Sequence, residues 1–237
     1  MPGSEGGQPP LGIIMLETRF ERIPGDIGHP ATFRFPVLLE VVRGASAARV
    51  VHDRAAGLLD AFVNAGRRLV DRGAAGILTS CGFMALHQAT LAAALPVPVA
   101  TSSLLQLPMI DRLLPAGRRS GVLTISAADL TPAHLAAVGA DPDTPVGGLP
   151  PDGHFAEVFL GDRPGLDPRL AATELLAAAD RLLERHPTVG SIVLECTNMG
   201  PYSAALARHA GMPVFDVVSL AGWLHQGLEP TIGNACP

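Results

Sequence analysis

Short apolar runs alternate with amphipathic stretches along nearly the whole chain. Leu11 to Leu16 reads as a first strand, and Val37 to Val42 as a second. Further strands are expected at 75–80, 97–100, 121–125, near Val146, at 191–195 and at 213–218. Between them apolar residues recur at helical spacing. Val51, Ala55, Leu58, Leu59, Phe62, Ala65 and Leu69 predict one long helix from Val50 to Arg72, closed by Gly73. Helices are also expected from Met84 to Leu95, from Thr131-Pro132 to Gly139, from Asp167-Pro168 to Arg185, from Pro201 to Ala210 and from Leu220 to Leu228. Trp223, on the last helix, is expected in the core, and 148–166 reads as loop. Strands that alternate with helices predict an α/β fold with parallel sheets.

The pattern repeats once. Ile77-Leu78-Thr79-Ser80-Cys81 and Ile192-Val193-Leu194-Glu195-Cys196 each carry an apolar run into a cysteine, and each leads into a helix. The helices before them also match, Arg68-Leu69-Val70-Asp71-Arg72 against Arg181-Leu182-Leu183-Glu184-Arg185. The cysteines lie 115 positions apart, about half the chain. A duplicated unit follows, with two pseudo-symmetric lobes, each a parallel sheet flanked by helices, and a cleft between them. The expected division is 11–112 plus 216–230 for the first lobe and 113–215 for the second. Flexible tails are expected at 1–10 and 231–237.

Composition narrows the classes of function. Hydrophobic residues make up 48% of 237, yet no run approaches the roughly 18 apolar residues of a membrane span. A net charge of −5 supplies no basic surface for nucleic acid or for a membrane. Three cysteines make no disulfide framework, and their spacing fits neither a dithiol motif nor a zinc site. No metal is therefore expected. The absence of a G-x-G-x-x-G after a strand and of a phosphate-binding loop gives no cue for a nucleotide cofactor. The polar first ten residues do not read as a signal peptide, so a cytoplasmic protein is expected. Ala/Leu-rich helices are compatible with a homodimer. Cys236, in the C-terminal tail, is expected to have no role.

Cys81 and Cys196 are the leading candidates for chemistry. A cysteine at a strand's carboxyl end is ordinarily a small buried hydrophobe. Two at equivalent points of a repeat ask for a reason that packing does not give. N–H groups at the helix starts are expected to lower the thiol pKa. Gly82 allows close backbone approach, Ser80 and Phe83 flank it, and Thr197 and Asn198 add polar groups after Cys196. Thr101 and Ser102 read as caps for the next helix, with lining of the cleft as the alternative. The loop 17–36 lies past a strand's carboxyl end and carries Glu17, Asp26 and His29, and His87 follows Cys81 by six residues.

The motifs Thr79-Ser80-Cys81-Gly82-Phe83 and Glu195-Cys196-Thr197-Asn198-Met199, with the loop Pro24 to Phe33, resemble the aspartate/glutamate racemase superfamily. That superfamily also holds hydantoin racemases, maleate isomerases and arylmalonate decarboxylases. The resemblance spans roughly 11–228. It implies a cofactor-independent isomerase acting on a small carboxylate-bearing substrate, an Asp/Glu-like amino acid or a derivative. One thiolate would remove the α-proton, and the other thiol would return a proton to the opposite face. It also makes Glu17 and Asp26 the nearest counterparts of the family's first-loop acid. Gly82-Phe83 stand where glutamate racemases have Asn-Thr, and Asn198 stands where they have histidine. On the same fold, maleate-isomerase-like addition or arylmalonate-decarboxylase-like chemistry are the alternatives. Outside it stand a hydrolase pairing Cys81 with His87 or His154, and a non-catalytic carboxylate-binding protein.

Overall fold

A computed structural model describes residues 8–228. The expected tails fall largely outside this range, including all of 231–237 with Cys236. Two four-stranded parallel sheets form the frame. The first holds β1 (Leu11–Leu16), β2 (Val37–Val42), β3 (Gly76–Thr79) and β4 (Val99–Ala100) in the order β2-β1-β3-β4. The second holds β5 (Arg119–Thr124), β6 (Val146–Gly148), β7 (Val189–Leu194) and β8 (Val214–Phe215) in the order β6-β5-β7-β8. Each strand of the second sheet takes the place of the strand four earlier, which is the duplication read from the sequence. β1 and β3 are buried throughout, as expected of parallel strands covered on both faces. Their register pairs Gly12 with Ile77 and Ile14 with Thr79, so both strands deliver their carboxyl ends to one level.

Several elements differ from expectation. The long first helix is two, α1 (Ala47–Val51) and α2 (Leu59–Asp71). Between them Arg54, Ala55 and Gly57 take positive φ values of 52°, 56° and 70°. Val51, Ala55 and Leu58 are buried as their spacing suggested, but a turn buries two of them as well as a helix would. The cysteine-bearing strands do not run straight into α-helices. Tight 3₁₀ turns, Gly82–His87 and Thr197–Tyr202, come first. Then follow α3 (Gln88–Ala94) and, in the second half, α8 (Ser203–Ala210). After β4 the chain passes through α4 (Leu107–Leu113), and after β5 through α5 (Pro132–Ala137).

The stretch 148–166 is not all loop, because α6 (His154–Phe159) lies within it. Its first N–H groups find their acceptor far along the chain. The Glu174 carboxylate, on α7 (Pro168–Arg185), accepts from His154 N at 2.7 Å and Phe155 N at 2.9 Å. The strand expected over 213–218 stops at Phe215 because Asp216 and Ser219 form a reciprocal cap. Asp216 Oδ1 accepts from Ser219 N at 2.8 Å, and Ser219 Oγ accepts from Asp216 N at 2.9 Å. The last helix, α9 (Val217–Leu228), therefore starts three residues early. It buries Val217, Leu220 and Ala221 against Leu11, Ile13 and Leu78 of the first sheet. Trp223 on its outer face is 62% exposed, which corrects the core placement. Among the described residues no helix is long and apolar enough to cross a membrane.

Phe62 is fully buried where α2 crosses the first sheet. Phe62→Ala is expected to cost roughly 3–5 kcal/mol in urea unfolding, the range for an aromatic removed from a packed core.

Candidate active site

The carboxyl ends of β1, β3, β5 and β7 meet at one small pocket of about 30 Å³. Leu16, Thr18, Phe20 and Arg22 line it from the loop after β1, and Ala47 and Val51 from α1. Ser80, Cys81, Gly82 and Phe83 come from the turn after β3, and Glu195, Cys196, Thr197 and Asn198 from the turn after β7. Ile125, Phe159 and Leu160 close it. Both cysteines are free and buried, 9% and 8% exposed.

The two turns are locked to each other. Thr197 Oγ1 donates to the Ser80 carbonyl at 2.8 Å, and Ser80 Oγ accepts from Leu16 N at 2.9 Å. Gly82 lies so close to Glu195 that a Cβ there would overlap both the Glu195 carbonyl oxygen and Oε1. Only glycine fits this approach. The turns also treat their sulfurs alike. The N–H of Phe83 acts on the Cys81 sulfur and that of Asn198 on the Cys196 sulfur, each as a donor two residues on.

Cys196 has a further partner. Its Sγ donates to Asn198 Oδ1 at 3.6 Å. Asn198 is oriented by Asp26, whose Oδ2 accepts from Nδ2 at 2.6 Å. A carboxylate takes the amide nitrogen, so the amide oxygen must face the sulfur, where it favours the protonated thiol. Asp26 is itself held by Arg22 Nη1 at 2.6 Å and the Gly28 N–H at 2.8 Å. Arg22 also donates to Thr18 Oγ1 and lies over the Phe20 ring at 4.7 Å. The loop that carries these residues is clasped to the second turn. A Cβ on Gly25 would lie 2.7 Å from Pro201 Cα, and one on Gly200 would overlap the Gly25 oxygen. At the protein surface a hydrogen-bonded contact of His52 with Asp129 and an ion pair of Arg19 with Asp162 join the two halves.

The electrostatics reverse the expected direction. Burial pushes both thiols above their ordinary range, and the nearby Glu195 carboxylate adds to the rise at each. The opposing N–H donors are outweighed. Glu195 is itself pushed up to about 8 by burial, with only the Thr124 hydroxyl on Oε2 lowering it.

Ser80, Gly82, Phe83, Thr197 and Asn198 thus line the pocket with the cysteines, as the motifs suggested. Asp26 stands one bond behind it, through Asn198. Glu17 instead accepts from the Gly44 N–H near the surface. Thr101 and Ser102 are buried but do not line the pocket. Thr101 binds Gln88, and Ser102 accepts from the Leu104 N–H as a cap. His87 bonds the Arg54 carbonyl and His154 the Asp167 N–H, so neither stands beside Cys81. His29 accepts from the Ala31 N–H within its own loop. Arg22 and Glu195 were not singled out by sequence reasoning. For Glu195 the signal was present, as the residue joining the repeated apolar run to its cysteine. Among the described residues no group of three or more His, Cys, Asp or Glu side chains could hold a metal ion.

No family model matches the chain. The chain is 29% identical over 226 residues to dimethylsulfoniopropionate lyase 6 of Emiliania huxleyi (strain CCMP1516), covering 89% of this chain and 57% of that protein. It is 25% identical to the dimethylsulfoniopropionate lyase of Durusdinium sp. clade D, covering 92% and 74%. The chain thus spans little more than half the length of the first of these relatives. Among solved structures it is similar to a glycine-to-cysteine mutant of arylmalonate decarboxylase in a sulfate-associated form, with TM-score 0.62, 21% identity and 93% of each chain covered. Allantoin racemase from Klebsiella pneumoniae gives TM-score 0.62 and 19% identity over 92% of this chain and 87% of that one. Glutamate racemase from Bacillus anthracis gives 0.58 and 13%, over 93% and 84%. The chain shares the fold of arylmalonate decarboxylase and of these racemases, the fold that the two motifs implied.

Two outcomes follow from this geometry. Gly82→Ala should destabilise the fold by about 1–3 kcal/mol, the cost of forcing a methyl into a packed contact, read as a lower urea midpoint. Glu195 holds its proton to about pH 8 in the folded state, against an ordinary value of 4.5. The unfolded chain loses that proton first, so stability falls as pH rises from about 4.5 towards 8, by at most about 1.4 kcal/mol per unit. Thermal melts across this range should show the slope, and Glu195→Gln should remove this contribution to it.

Proposed function

We propose that the protein removes the proton next to a carboxylate with its cysteine pair, needing no cofactor, and that the substrate is a small sulfonium carboxylate of the dimethylsulfoniopropionate kind. The observation that carries this reading is the meeting of two equivalent thiols in one buried pocket. Carbon acids beside a carboxylate need a strong base held out of water and donors for the charge that builds on the carboxylate. The lyase names of the relatives supply the leaving group.

In this reaction a thiolate takes the α-proton and becomes a thiol. The Cα–H electron pair forms the Cα=Cβ double bond, and the Cβ–S bond breaks with its pair leaving on sulfur. Dimethyl sulfide and acrylate result. The pocket suits a small zwitterion. Arg22, which also holds Asp26 and Thr18, lines the pocket as its cation together with the thiols and Glu195. Phe83 and Phe159 add aromatic walls, which attract an onium group.

One observation favours a second reading. The thiols occupy equivalent strand ends of a repeat, the arrangement required for removing a proton from one face and returning one to the other. A racemase or epimerase acting on an amino acid or a related acid would use both thiols in that way.

The test is incubation of purified protein in D₂O with dimethylsulfoniopropionate, and separately with single-enantiomer amino acids, hydantoins and 2-substituted dicarboxylates. Equal release of dimethyl sulfide and acrylate, reduced at least about 10²-fold in Cys81→Ala or Cys196→Ala, is expected. Exchange of the α-proton with optical inversion, and no elimination, would select the racemase reading. No proton loss from any of these acids would overturn both.

A further inference from the structure

Glu195 is the one fully buried carboxyl of the pocket, and α-proton chemistry by the thiols does not by itself require it. Resting on that reading of the site, we infer that Glu195 is a positioning residue that shares a single negative charge with Cys81 and Cys196 and so decides when a thiolate forms. Three geometric facts carry this. Glu195 precedes Cys196 in the chain, and its Oε1 lies against Gly82, which follows Cys81. One carboxyl group is therefore a single residue away from both thiols. Its side chain is completely buried. Oε2 accepts from Thr124 Oγ1 at 2.8 Å, while Oε1 has no hydrogen-bond partner among the described residues.

A buried carboxylate normally collects two or three donors, or a cation. This one has a single hydroxyl. The nearest cation in the pocket, Arg22, is committed to Asp26 and Thr18. The titratable groups facing Glu195 are the two thiols, with Asp26 behind Cys196, paired with Arg22 and still adding to the rise of that thiol. Nothing there offsets a second negative charge. An ionised Glu195 therefore keeps both thiols protonated, and a neutral Glu195 lets one of them ionise. The balance moves one proton. Thiol plus Glu195 carboxylate becomes thiolate plus Glu195 carboxylic acid, with no change in net charge. The three groups titrate as a unit rather than as independent sites.

The experiment is a thiolate titration of the full chain by ultraviolet absorbance, with iodoacetamide alkylation rates as a second readout. Glu195→Gln keeps the size of the side chain and an acceptor for Thr124 but cannot take the charge. Its thiols should ionise at least one pH unit below those of the unsubstituted protein, and alkylate about tenfold faster near pH 9. Thr124→Val leaves the carboxyl in place and removes the donor that favours its anion. Its thiol titration should move the same way by a smaller amount, which keeps the inference testable even if Glu195→Gln fails to fold. Unchanged thiol titration in a folded Glu195→Gln protein, or in Thr124→Val where that variant alone folds, overturns the inference. The readout needs no substrate. A thiol shift without α-proton chemistry on any substrate would overturn the proposed function and leave the charge sharing in place.

Discussion

Everything at the pocket depends on the contact between two turns. Gly82 presses against Glu195, and Thr197 binds the Ser80 carbonyl across the boundary of the two sheets. Strand ends of separate sheets have no reason to meet, and here they are joined by a buried hydrogen bond and a contact that admits no side chain. That contact faces the two sulfurs into a common space. It also buries both thiols and Glu195, which sets the electrostatics of all three.

Low dielectric acts on the three proton-bearing groups in one direction. Cys81, Cys196 and Glu195 are all pushed towards their neutral forms. A site built this way does not hold a thiolate ready in the resting state, and a charge appears there only by displacement from a neighbour. The 3₁₀ turns after the cysteines contribute individual N–H donors rather than the field of a long helix, and those donors fall short of the cost of burial.

The frame and the thiol pair were legible in the sequence because both rest on repetition. Apolar runs of strand length, the matching Arg-Leu-Val-Asp-Arg and Arg-Leu-Leu-Glu-Arg helices and the two cysteines carry the signal twice. Features with a distant cause were not legible. The helix 154–159 is capped by Glu174 from a later helix. The break at 53–57 leaves Ala55 and Leu58 buried, so the apolar spacing looks helical across it. Asp216 and Ser219 did carry a local cap signal, but the apolar run Pro213 to Val218 masked it. Trp223 shows the limit of reading burial from residue type, since a helix packed on one face leaves the other to solvent. At the pocket, Arg22 sits in what looks like ordinary loop, and Glu195, although it joins the repeated run to its cysteine, shows its contact with Gly82 only in the fold.

The mutual fit of Gly25 and Gly200 makes one flank of the molecule stiff. With backbone against backbone at both positions, the loop after the first strand is keyed into the second turn and cannot swing as a flap. On the surface, by contrast, the halves are joined by a His52–Asp129 hydrogen bond and the Arg19–Asp162 pair, a surface ion pair of the kind worth about 0–1 kcal/mol. The molecule is therefore stiff on one flank and weakly fastened on the other. The keyed flank, which carries Thr18 and Arg22, gives the pocket one fixed wall.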